Sequence, residues 1–159
     1  MVHAVHVRQS THTKIADELN HFLADTYLLY LKTQNFHWNV KGPYFYSYHQ
    51  LFEGQYQELA LAVDEIAERI RALGCYTRAS FAQFSELSSL KEEKKEVDAE
   101  TMLKELMQDH EVLSQHAAAL IPKMQKAGDE GSADLMIQRQ KAHDKAAWML
   151  RSSLYLTSS

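Results

Sequence analysis

Five residues carry spacing that could do chemistry: His37, His49, Glu53, Asp64 and Glu68. His49 and Glu53 are four apart, so on a helix they share a face. Asp64 and Glu68 repeat that spacing further along. At about 100° per residue, the eleven steps from Glu53 to Asp64 come to three turns plus roughly 20°. All four side chains therefore point the same way. A His/carboxylate face on an otherwise apolar helix is costly to bury without a partner, and a metal ion is one natural partner. Two imidazoles with three carboxylates suit Fe(II) or another divalent first-row ion. Such a set can hold one ion tightly and a second more loosely, and two adjacent irons can deliver two electrons to one oxidant.

Geometry restricts how these ligands meet. Eleven residues of helix span roughly 16 Å, whereas a metal–ligand bond is about 2 Å. Glu53 and Asp64 of one chain cannot reach one ion on a continuous helix. Two antiparallel copies related by a two-fold axis near residues 58–59 bring Glu53 of one opposite Asp64 of the other, and His49 opposite Glu68. Two identical sites per dimer follow, each built between chains. His37 precedes a Gly42-Pro43 break and can fold over the start of the next helix to join His49. The competing reading of the same stripe is a set of interface salt bridges, since ion-pair networks are common. Isolated histidines such as His21, His110, His116 and His143 are read as satisfied core or surface residues. A di-iron centre inside one bundle needs Glu-x-x-His on two helices. The pattern occurs once, at Glu18–His21, which argues against such a centre.

The elements that must position these residues are helical. The 159 residues include only 5 Gly and 2 Pro, which disfavours a many-turned β protein. The apolar fraction of 45% can fill a core. Ile15, Leu19, Phe22, Leu23, Tyr27, Tyr30 and Leu31 mark a helix from Thr11 to about Gln34 or beyond. A second helix, from near Ser47 to Leu73, carries Leu51, Phe52, Tyr56, Leu59, Val63, Ile66 and Ile70, with Gly74 as its stop. The region 74–97 reads as a long connection with a short helix at Ser80–Phe84. A third helix starts near Asp98 and runs to about Lys126, with Pro122 bending it or ending it early. A fourth starts near Ser132, as N-cap, and runs to about Tyr155, with Trp148 and Met149 on its apolar face. The whole reads as an all-α four-helix bundle, with a long crossover between helices 2 and 3 that carries a short helix. Residues 1–10 read as a flexible arm and 11–159 as the domain.

Composition excludes several function classes. The net charge of −4 argues against a basic nucleic-acid surface over the whole body. No run approaches the roughly 18 apolar residues of a membrane helix, and no signal-peptide core is present, so a cytoplasmic location is expected. The single Cys75 permits no internal disulfide framework. No nucleotide-binding glycine loop and no Gly-x-Ser-x-Gly elbow occurs.

The stretch Asn35-Phe36-His37-Trp38-Asn39-Val40-Lys41-Gly42, followed by Phe45, His49, Phe52 and Glu53, resembles the Dps proteins, or mini-ferritins. The resemblance continues through Asp64-Glu65-Ile66-Ala67-Glu68-Arg69-Ile70, Leu73-Gly74, Ser80-Phe81, 84–88 and 145–151, which covers nearly the whole chain after residue 10. It implies a ferritin-like fold and a hollow homododecamer. It also implies ferroxidase centres at two-fold interfaces that oxidise Fe(II) with hydrogen peroxide, and a ferric mineral in the cavity that protects the cell and its DNA. On this reading His37, His49 and Glu53 come from one subunit and Asp64 and Glu68 from its mate, with about two irons per site. Trp38 sits beside the site as a radical trap or as interface packing. Asp129 and Asp134 resemble acidic residues of iron-entry pores, the alternative being an ordinary acidic helix start.

The sequence departs from the family's pattern at Glu53, where Asp is frequent, and at Tyr48, where a small aliphatic residue is usual. DNA-binding members carry Lys-rich tails that bind phosphate by counterion release. Here residues 1–14 hold only Arg8 and Lys14. A DNA-condensing, nucleoid-associated role is the alternative function, and His3, His6 and His12 would supply its charge near pH 6 or bind a surface metal instead.

Overall fold

The computed structural model describes the backbone of residues 2–154 and the side chains of residues 8–154. Five helices follow in order: α1 (Val2–Asn39), α2 (Phe45–Ala72), α3 (Phe81–Leu87), α4 (Ala99–Lys126) and α5 (Glu130–Ser153). The four long ones form the bundle, and α3 lies within the crossover between α2 and α4. Helix α1 packs mainly on α2, and α4 mainly on α5. The core is one cluster fed from all four, with Leu19, Phe22, Phe52, Leu59, Ile66, Leu106, Leu113, Met136 and Leu150 fully enclosed. No helix among the described residues is long and apolar enough to cross a membrane.

Three boundaries or faces differ from the sequence reading. Helix α1 begins at Val2 rather than Thr11, so residues 2–10 of the expected arm continue its backbone. Arg8, Gln9 and Ser10 are exposed, and a solvent-facing stretch of helix carries no apolar stripe to mark it. Helix α4 runs to Lys126 as expected, and of the two effects expected of Pro122 an early end does not occur. Pro122 is exposed while Leu120 and Met124 are buried beside it, so core packing outweighs the lost backbone bond. The N-cap of α5 is Asp129, not Ser132. The Asp129 carboxylate accepts from the Ser132 amide at 3.0 Å and the Ser132 hydroxyl at 2.6 Å, which makes Ser132 the third helical residue. Finally, Trp148 and Met149 are exposed, and α5 buries Ala147 and Leu150 instead. Helix α4 starts where expected, with Asp98 as its N-cap accepting from the Thr101 amide.

The crossover is tied to α1 by three buried polar side chains. Asn20 accepts from the Arg78 amide at 3.0 Å. Asp25 accepts from the Ser88 hydroxyl (2.7 Å), the Ser89 amide (2.6 Å) and the Ser89 hydroxyl (2.9 Å). Lys32 donates to the Lys91 carbonyl at 3.0 Å and pairs with Asp109 (2.9 Å) and Glu105 (3.2 Å) of α4. Burial pushes Asp25 up, but hydrogen bonds from His116, Ser88 and Ser89 outweigh it and hold the carboxyl below its usual range.

Candidate metal centre on the first two helices

His37 ends α1 and His49 lies in the first turns of α2, so the turn between them decides whether they meet. Gly42 takes φ +124°, a conformation that L side chains rarely adopt, and the Phe45 amide bonds back to the Gly42 carbonyl at 3.1 Å. The chain reverses within five residues and lays α2 on α1. The two imidazoles then stack, with centroids 3.8 Å apart and planes 14° from parallel. Phe45 stacks on His49 at 5.0 Å, and Tyr56 meets His37 edge-on at 5.1 Å. His37 is buried and His49 half-buried.

The hydrogen bonds of this pair are reciprocal. His37 Nδ1 lies 2.7 Å from the His49 carbonyl, and His49 Nδ1 lies 2.7 Å from the His37 carbonyl. A carbonyl only accepts, so both Nδ1 atoms carry the proton in the neutral rings. Both Nε2 atoms therefore keep a lone pair, which is the tautomer a metal ligand needs.

The three carboxylates stand differently. Glu53 is half-buried one turn beyond His49, while Asp64 and Glu68 are exposed further along α2. None of the three makes a hydrogen bond or ion pair among the described residues. The helix face between Glu53 and Asp64 is open, with Gln57, Ala60 and Leu61 exposed and Leu61 at 75%. Among the described residues, no three His, Cys, Asp or Glu side chains of the single chain gather around one point. The structure thus joins His37 to His49, places Glu53 on the next turn, and leaves Asp64 and Glu68 apart from them.

Helix α2 is pinned just beyond Glu68 by Arg69. Its guanidinium donates to Asp129 at 2.6 Å and to the Ser132 hydroxyl at 3.0 Å. Burial raises the Asp129 pKa, but the Ser132 bonds and Arg69 prevail and hold it low. Asp129 is thereby engaged as a cap and ion-pair partner, whereas Asp134 is exposed on the next turn of α5. Trp38 is 61% exposed and lines a surface groove with Asn35, Lys41 and Glu96. Glu18 and His21 do not come together: Glu18 pairs with Lys123 at 3.2 Å, and His21 bonds the Leu87 carbonyl at 3.1 Å.

A second histidine pair, which sequence spacing did not join, lies between α4 and α5. His110 Nδ1 and His143 Nδ1 are 2.8 Å apart, both fully buried. Arg139 Nη2 lies 3.2 Å from His143 Nε2 and 3.1 Å from Glu58, which Arg139 grips with its two terminal guanidinium nitrogens. A guanidinium only donates, so His143 Nε2 accepts from it, the His143 proton on Nδ1 goes to His110 Nδ1, and His110 carries its own proton on Nε2. Burial, with Arg139 second, pushes His110 down to about 3; burial, His110 and Arg139 push His143 well below its ordinary value. The one sequence signal was the Arg139–His143 spacing of four on a helix face.

The model of the ferritin-like domain matches residues 16–158. Among curated proteins, the chain is 44% identical over 139 residues to a low temperature-induced protein of Nostoc sp., spanning 84% of this chain and 76% of that one. It is 38% identical to a "DNA protection during starvation protein 2" of Bacillus anthracis, spanning 89% of this chain and 97% of that one. Among solved structures, it superposes with a TM-score of 0.89 at 30% identity on the Dps protein of Vibrio cholerae O1, over 92% of both chains. That protein is described as a member of a broad superfamily of ferritin-like diiron-carboxylate proteins. Fold and relatives define a ferritin-like helical bundle. Within that class, the chain belongs to the Dps family.

Proposed function

We propose that this protein oxidises Fe(II) at sites shared between two copies of the chain and stores the ferric product inside a hollow dodecamer, sparing the cell and its DNA iron-driven oxidative damage. His37, His49 and Glu53 of one copy face Asp64 and Glu68 of another. The observation that carries this reading is the reciprocal bonding of the histidines, which leaves both Nε2 lone pairs free for a cation. Three carboxylates without a partner among the described residues supply three of the negative charges that two divalent ions call for. The open face of α2 supplies the seam.

Iron is the substrate, and hydrogen peroxide the preferred oxidant. Each Fe(II) gives one electron. The peroxide takes both and two protons, its O–O bond breaks, and two waters leave. Paired one-electron donors side by side keep the reduction from stopping at a hydroxyl radical.

Anaerobic addition of Fe(II) and then peroxide should consume two irons per peroxide and leave a soluble ferric core. An unchanged oxidation rate in the His37→Ala/His49→Ala double variant would refute the assigned site. Mixing tests the shared geometry. Neither the His37→Ala/His49→Ala chain nor the Asp64→Ala/Glu68→Ala chain should oxidise iron alone. Co-assembled, they restore one of the two sites in each mixed dimer. A site held within one chain restores none.

A further inference from the structure

Arg69 follows Glu68 on α2 and reaches across to the first turn of α5. Gly131 is the second residue of that helix, a place where glycine is a weak helix former. The space over it is filled from outside. A Cβ built on Gly131 would lie 3.0 Å from Arg69 Nη2 and 3.1 Å from both Cζ and Nη1. Three guanidinium atoms at nearly one distance mean that the planar fork lies across the glycine, face to backbone, where a side chain would displace it. The edge of the same fork donates from Nε to the Ser132 hydroxyl at 3.0 Å and from Nη2 to Asp129 at 2.6 Å. One side chain of α2 thus covers residues 129–132.

This arrangement does not favour α5. A cation at the start of a helix meets the positive end of its dipole, which the Asp129 carboxylate offsets, and the glycine weakens the turn. The helix that gains is α2. Among the described residues, Arg69 makes the only side-chain hydrogen bonds and the only ion pair of residues 60–70. Ile66 and Ile70 are fully buried and decide which face of α2 turns inward, but apolar burial is non-directional. A planar fork with fixed donors is directional, so it sets where this turn of α2 sits along α5. Asp64 and Glu68 are exposed there and have no hydrogen bond or ion pair of their own among the described residues. Their placement is that of the helix that carries them.

We propose that Arg69 and Gly131 form a clamp that positions Glu68, and Asp64 one turn earlier, for the iron site of the neighbouring copy. The inference rests on the shared site proposed above. Both are positioning residues: Arg69 acts through the backbone of α2, and Gly131 acts by leaving room for Arg69. Metal–ligand bonds of about 2 Å tolerate little misplacement. Losing a group that orients a ligand typically weakens metal binding by about 10- to 100-fold.

Co(II) added to the full-length protein without an oxidant tests this, because its visible absorption reports affinity apart from turnover. Gly131 is exposed, so Gly131→Leu evicts the fork without entering the core. It should weaken Co(II) binding by roughly tenfold with helicity unchanged. It should also raise the Fe(II) concentration for half-maximal oxidation to match, with the limiting rate within about a factor of two, the mark of lost ground-state binding. In an Arg69→Met background the same substitution should leave Co(II) affinity where Arg69→Met alone puts it. There it should raise the melting temperature, because leucine is the better helix former once the fork is gone. Co(II) affinity unmoved by Gly131→Leu, weakened equally with and without Arg69, or joined by a lower melting temperature in the Arg69→Met background overturns the proposal. The His37→Ala/His49→Ala chain separates the clamp from the site. Co(II) held there as tightly as by the parent refutes the shared site and this inference with it. Co(II) lost there but unmoved by Gly131→Leu refutes the clamp alone.

Discussion

The molecule contains two close histidine pairs whose hydrogen bonds are opposite in kind. His37 and His49 give their Nδ1 protons to each other's backbone carbonyls and keep two free lone pairs. His110 and His143 bond to each other, with Arg139 behind them, and keep one free N–H. The first pair presents two acceptor nitrogens, which is what a cation requires. The second cannot, because its remaining nitrogen is a donor and a guanidinium stands beside it. Proximity of two imidazoles therefore does not make a metal site; the partner that takes the Nδ1 proton does.

Several experiments sharpen this contrast. The largest effect is on turnover. Losing both His37 and His49 to alanine should slow Fe(II) oxidation by roughly two orders of magnitude, while His110→Gln should leave stopped-flow rates within a factor of about three. Next is acid. Unfolded histidines titrate near 6.5, whereas folded His110 and His143 resist protonation. Their contribution to stability is complete above about pH 6.5 and is lost as pH falls towards 3, because the unfolded chain takes up protons that the folded one refuses. The slope is about 1.4 kcal/mol per pH unit for His110 alone, and denaturant titrations at pH 7.5, 6 and 5 measure it. A flat profile would break the assignment of a neutral buried pair.

Arg139→Met comes third. It removes the donor that fixes the second pair, and should cost about 1–3 kcal/mol and give His143 mixed tautomers in nitrogen NMR. His37 and His49 should be undisturbed. Smallest is Tyr56→Phe, which keeps the ring against His37 and should stay within about 0.5 kcal/mol of the parent.

The sequence carried the fold because Leu19, Leu59, Ile66 and Leu113 recur at helical spacing and are the enclosed core. It carried the joining of His37 to His49 because Gly42-Pro43 forces a reversal between them. It did not carry the anchoring of the crossover, since Asn20, Asp25 and Lys32 are polar residues on a helix and only tertiary contact shows them buried. It joined His110 to nothing for the same reason: its partner is 33 positions away and no local pattern links them. The α5 cap was misplaced because Asp129 and Ser132 are both capping residues, and composition does not say which one accepts. The ligands expected from a second copy stand open on α2, and their pairing rests on the proposed assembly.

The tight reversal at Gly42 has a kinetic consequence. The stacked imidazoles close a loop of only twelve residues, so little chain entropy opposes their meeting. Contacts this local form early in folding. On the proposed assembly, one half of the pocket is already aligned within the chain, and docking has only to bring carboxylates to the histidines.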